Sequence, residues 1–307
     1  MAVWAALAAA AGALVLLAAA RWALPHETVR NALERIEPRV LALHFALLVL
    51  LGLGLAWQER GRLRVHLHFA LAAGLIALAG ILAAAFLAPD THRLYFDEDI
   101  YIQIAQSMAY DGRSGMLDCA LPNPEGNPPW HGTWYSLNKE PSGYPFLVSL
   151  VVRASGLMDR AGRVASLLFF GLGIFALAFL ARRIFASAPA GLLVAAAYAF
   201  WPENLRWAVT ASAEITAASL AIVSVWLALR VDRRCPGLDA LVAILAVTLA
   251  AQQRPEGVLL LVPFWLLLGD AGGGWLRGWR VKTVYLVALL LLLLPHGLHL
   301  IAMSGED

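Results

Sequence analysis

Nine stretches of this chain are apolar over the length of a membrane-crossing helix or close to it, and they restrict what it can fold into. A helix rises 1.5 Å per residue, so crossing a hydrocarbon layer of about 30 Å takes about 20 apolar residues. Candidate spans fall at 2–20, 40–57, 66–88, 163–181, 187–201, 211–229, 238–252, 256–269 and 283–303, the fifth, seventh and eighth being short. Hydrocarbon offers backbone groups no water, so each segment must satisfy its own amides as a helix. The expectation is an all-α polytopic membrane protein, a bundle of about nine spans. A large soluble core does not account for the pattern. The chain is 61% hydrophobic and 14% charged, where soluble domains run at about 45–50% and about 25%. Its net charge of only +2 gives no sign of a nucleic-acid partner.

Arg and Lys near helix ends set the orientation. With the N-terminus in the cytoplasm, the loops Arg60/Arg62/Arg64, Arg182/Arg183, Arg230/Arg233/Arg234 and Arg277/Arg280/Lys282 all fall inside. The opposite loops near 202–210 and 253–255 carry one Arg each. Segment 21–39 is the misfit, with four Arg on the outer side against Glu27, Glu34 and Glu37, and it reads as a short interfacial helix. Residues 1–20 lack the basic n-region of a signal peptide and are expected to be retained. The resulting division is a three-span segment at 1–88, an extracytoplasmic loop with interfacial helices at 89–160, and a six-span bundle at 161–307. Cys119 and Cys235 then lie on opposite sides of the bilayer and are expected to form no bridge.

The long hydrophilic stretch 89–142 holds eight of the 21 acids. In "LPNPEGNPPWHGTW" the prolines fix φ and remove donors, which rules out regular helix or strand. Trp130, Trp134, Tyr135 and Tyr144 suit contact with the membrane interface or a ligand. Ahead of them, "DEDIYIQIAQSM" opens on Asp97, Glu98 and Asp99. Ile100, Tyr101, Ile104, Ala105 and Met108 follow at helical spacing, with Asp111-Gly112 as the stop. The reading is a helix of about four turns lying flat on the outer leaflet. Capping explains one acid at a helix start, and a solvated face is the ordinary account of a charge run. Three adjacent acids repel one another, so a general base or a metal-binding pair is the functional alternative.

Two further pieces face the same side. "NKEPSGYPFLVSLVVRASG" at 138–156 reads as an interfacial helix led by Lys139, whose ammonium either snorkels or holds a phosphate. Glu203 and Arg206 in "FWPENLRWAV", Glu214 in "TASAEITAASL", and Arg254 and Glu256 in "QQRPEG" stand at outer helix ends. Ionisable groups at such depth mark function or pair with one another.

These residues resemble the GT-C membrane glycosyltransferases, in the group containing protein O-mannosyltransferases and the aminoarabinose transferase of lipid A. The carrying elements are Asp97-Glu98 with Tyr101 and Ala105, "KEPSGYPFLVSLV" with Lys139, Pro141 and Tyr144, "LARRIF" at 180–185, "WPENLRWAVTASAEITAASL", and "RPEGVLLLV" with Arg254 and Glu256. Together they cover about residues 90 to 265, although three spans precede the acidic loop where the family usually has one.

The resemblance implies a sugar donor on a polyprenyl phosphate, inverting transfer to a lipid, glycan or protein acceptor, and a bacterial inner membrane with the active loop outside. It implies Asp97 as base with Glu98 in support. It implies Lys139, Arg206 and Arg254 on the donor phosphate, and Asp99, Tyr101, Tyr144, Glu214 and Glu256 around the substrate. It points to no definite cofactor, and a divalent cation held by Asp97, Glu98 and His131 is left open. Two other classes use the same groups: a lipid-linked sugar flippase, and a non-catalytic lipid-binding subunit of the same fold.

Overall fold

The structure is a computed structural model that describes residues 26–58, 60–61, 66–89, 96–117, 135–136, 141–157, 160–231, 238–270, 288–290, 292–293 and 297. Among these, four helices are long and apolar enough to cross a membrane: Asn31–Gln58, Leu67–Leu87, Ala161–Phe185 and Ala213–Arg230. The protein is a multi-pass, predominantly α-helical membrane protein. Shorter apolar helices stand where the sequence places its short spans, at Ala188–Ala199, Leu238–Ala251 and Pro255–Phe264. The first expected span lies outside the described residues, as do Cys119 and Cys235. The described positions of the ninth, 288–290, 292–293 and 297, are helical.

Helix α1 runs unbroken through His26–Gln58 with Pro38 inside it. Residues 26–39 are therefore no separate interfacial helix, as the sequence reading had them, but the first turns of a span. At 1.5 Å per residue its 33 residues reach about 50 Å, some 20 Å more than the hydrocarbon thickness. The helix is therefore long enough to carry the turns with Glu34, Arg35, Glu37 and Arg39 as well as a full span. Glu34 is buried there, and its carbonyl accepts the Ser114 N–H at 2.8 Å.

Helix α2 is Leu67–Leu87 and α3 is Phe96–Tyr110. The two-residue strands β1, Met116–Leu117, and β2, Tyr135–Ser136, pair antiparallel and join the two ends of 118–134. Helix α4 is Gly143–Ser155, about 20 Å long and too short to span. Helices α5, Ala161–Phe185, and α6, Ala188–Ala199, form a hairpin. The α6 start is set by Ser187, whose side chain accepts the Ala190 N–H, and by Pro189 in its first turn. Then come α7, Pro202–Ala208, α8, Ala213–Arg230, and α9, Leu238–Ala251. A 3-10 turn at Pro255–Leu260 leads into α10, Leu261–Asp270.

Helix α5 packs on α2, α6 and α8, and α8 packs in turn on α9. Lipid tails are as apolar as leucine, so close backbone approach drives this packing. Gly173 of α5 shows it, since a Cβ there would overlap Ser219 of α8. Every residue of α9 from Val242 to Ala251 is buried, as befits a helix that is apolar all round. Inside the bilayer His44 of α1 bonds the Leu245 carbonyl at 2.9 Å and meets Thr248 Oγ1 at 3.1 Å, joining α1 to α9.

Candidate functional site

Helix α3 forms where the spacing predicts and ends at Tyr110, two residues before Gly112, whose φ of +65° suits a turn. Its face Ile100, Tyr101, Ile104, Ala105 and Met108 is buried. That face packs on α4 and α5. Protein rather than lipid covers it, since α4 supplies Phe146, Leu147 and Val148 at the matching depth. Arg153 of α4 donates to the Met108 carbonyl at 2.5 Å, a cation placed on the last turn of α3 where the helix dipole favours it.

The three acids of α3 part company. Asp97 is exposed, Asp99 is half-buried, and Glu98 is 1% exposed. Glu98 stands one turn before Tyr101 and two turns before Ala105, so it extends their buried stripe. Its Oε2 accepts the Ala211 N–H at 3.2 Å. That amide belongs to the turn between α7 and α8, which is stiffened by Thr210 Oγ1 donating to the Trp207 carbonyl at 3.0 Å. Glu98 Oε1 is buried without a hydrogen-bond partner.

The same turn reaches Tyr144. Its hydroxyl donates to the Gly162 carbonyl at 3.2 Å and lies 3.0 Å from Ser166 Oγ, which donates to the Thr210 carbonyl at 2.9 Å. The Tyr144 ring meets Tyr101 edge-on, with centroids 5.2 Å apart. Burial raises the Tyr144 pKa far above the ordinary phenol range, and the charges of Glu98 and Glu214 add to the rise. The hydroxyl therefore stays a neutral donor. One residue earlier, the Gly143 N–H donates to the Gln252 carbonyl at 3.0 Å. A Cβ on Gly143 would overlap that carbonyl, so glycine alone permits the approach.

Gln252 opens the segment that carries Arg254. The Arg254 guanidinium pairs with Glu214, in the first turn of α8, and donates to Glu256 Oε1 at 2.5 Å. Burial would lower the Arg254 pKa, but Glu214 and Glu256 more than offset this and hold it above its usual value. Glu214 Oε2 is buried without a hydrogen-bond partner. The contacts close a ring: α3 to the 209–212 turn through Glu98, on to α4 through Tyr144, across Gly143 to Gln252, and back through Arg254 to α8.

Of the residues singled out in the sequence, the structure brings together Glu98, Tyr101, Tyr144, Glu214, Arg254 and Glu256. Arg206 sits half-buried in the last turn of α7, just before the turn that holds Glu98. Lys139 and His131 lie outside the described residues. Among the described residues no group of three His, Cys, Asp or Glu side chains is placed to hold a metal ion. Sequence reasoning missed Ser166, Thr210, Ala211 and Gln252. Only the paired glutamines ahead of "RPEG" gave a signal, as amides at the end of an apolar helix.

The opposite end of the bundle is basic. Arg182 Nη2 lies 3.3 Å from His66 Nδ1, Arg60 stacks over Trp57 and Arg230 over Trp226. The helices thus present an acid- and amide-rich end and an arginine-rich end.

Residues 139–299, just over half of the chain, match the family model of dolichyl-phosphate-mannose-protein mannosyltransferases. The chain belongs to this family. No curated protein and no solved structure matches it. The family is part of the GT-C superfamily, so the chain is a membrane glycosyltransferase by family and draws on a lipid-linked sugar donor. The matched region contains Lys139, Tyr144, Arg206, Glu214, Arg254 and Glu256. The α3 acids precede it.

Proposed function

We propose that the protein transfers a sugar, with inversion, from a polyprenyl-phosphate donor to a hydroxyl acceptor on the outer face of a bacterial inner membrane. Asp97 is the base. An acceptor hydroxyl must lose its proton as it attacks the anomeric carbon, and Asp97 is the α3 carboxylate open to an arriving acceptor. Glu98 fixes α3, and with it Asp97, against the 209–212 turn.

The observation that carries the reading is the pair of orphaned carboxylate oxygens, Glu98 Oε1 and Glu214 Oε2, in one ring with Arg254. A buried acceptor without a donor is costly and calls for a partner. Sugar hydroxyls are donors of the kind such oxygens lack. The leaving lipid phosphate needs a cation where its charge develops. Arg254, Arg206 and Lys139 supply it, with Asp99 and Glu256 ordering that shell and Tyr101 and Tyr144 forming its floor.

The test is Asp97→Asn in membranes supplied with lipid-linked donor. General-base loss is expected to cut transfer by about 10²–10⁴-fold with the protein level unchanged. Full activity in that variant would remove Asp97 as base.

A further inference from the structure

A cleft of about 390 Å³ opens between α1, α5, α8 and α9; at one end its Phe45 meets Phe146 of α4 edge-on, with ring centroids 6.1 Å apart, and at the other end stands Arg230. Its walls include Phe45, Gly52, Leu172, Val223 and Trp226, and the one charged group lining it is Arg230. The volume falls within the usual range for a ligand pocket. Water would find almost no polar partners there, and the cleft lies along helices that cross hydrocarbon, so a hydrocarbon chain is its natural occupant. Gly52 keeps it open, since a Cβ at that position meets nothing within 4 Å.

Arg230 defines what the chain is attached to. It ends α8, stacks over Trp226 at 5.0 Å, and has Asp239 as its acidic neighbour. It stands at the same end as Arg60 and Arg182. Glu214 and Arg254 mark the other end of α8, 16 residues or about 24 Å away along the helix. A lipid entering beside Arg230 therefore comes from the leaflet opposite the ring.

We infer that this cleft binds one chain of an anionic glycerophospholipid from the arginine-rich side, with the lipid phosphate against Arg230. The inference does not depend on the transfer reading.

The test reads Trp226, whose fluorescence is isolated as the difference between wild type and Trp226→Phe. Each is reconstituted in phosphatidylcholine vesicles containing either bromine-labelled phosphatidylglycerol or bromine-labelled phosphatidylcholine at equal mole fraction. Bromine on a chain lodged in the cleft quenches this tryptophan. The expected preference for the anionic lipid is about fivefold, the worth of one basic residue near an anionic surface, and Arg230→Gln abolishes it. Gly52→Leu places a side chain in the cleft and removes the quenching while the melting temperature holds. Val49→Phe, from another turn of α1, serves if Gly52→Leu fails to fold. Equal quenching by both headgroups, or quenching that survives both filling variants, would overturn the inference. Displacement by unlabelled polyprenyl phosphate but not by unlabelled phosphatidylglycerol would overturn it too, and would assign the cleft to the donor's tail.

Discussion

Asp97 and Glu98 are adjacent, carry the same charge, and do different things. What separates them is helix geometry: position 98 is in line with Tyr101 and Ala105, and the Ala211 amide waits opposite it. The sequence makes that stripe legible in retrospect, but nothing in it shows a backbone amide 113 residues away. Glu98→Ala leaves the Ala211 N–H unpaired in a buried place, at a cost of about 1–3 kcal/mol. Glu98→Gln keeps an acceptor oxygen and should lose much less. Thermal unfolding in detergent separates the two. Equal melting temperatures for Glu98→Ala and wild type would mean the bond does not hold α3.

At the scale of elements, α3 and the long spans were legible because periodicity and apolar length are local properties. The destination of α4 was not. Its apolar run with an interrupting Arg153 reads equally as a surface helix, and the structure instead wedges it between α3 and α5 with Arg153 closing the α3 terminus. The α1 reading failed for a related reason. A change from charged to apolar residues looks like a boundary, but a helix 33 residues long carries both. Gly143→Ala is expected to be among the more damaging single changes here. Its methyl group must displace either α4 or the Gln252 carbonyl, so a loss above about 2 kcal/mol is expected, in the range of overpacked cores. Arg153→Ala should cost about 1 kcal/mol, a helix-terminus interaction. Urea or thermal melts of both variants check the order, and a Gly143→Ala protein as stable as Arg153→Ala would contradict the close approach.

Over the whole molecule, two ends differ in chemistry. The ring of Glu98, Tyr144, Glu214 and Arg254 occupies one, and Arg60, Arg182 and Arg230 the other. Sequence alone separates these ends well, because basic residues cluster in the short loops between spans. It also carries the family pattern. The closure of the ring was not legible, because it rests on backbone groups of Ala211, Gly162, Thr210 and Gln252, whose side chains do not announce such a role. The central claim is chemical transfer rather than carriage of the lipid-linked sugar. The most direct measurement reconstitutes the purified chain in liposomes with a polyprenyl-phosphate sugar donor and a hydroxyl acceptor, and follows both products. The account predicts free polyprenyl phosphate appearing in step with a glycosylated acceptor of inverted anomeric configuration. Donor crossing the bilayer intact, with no polyprenyl phosphate released, would contradict it.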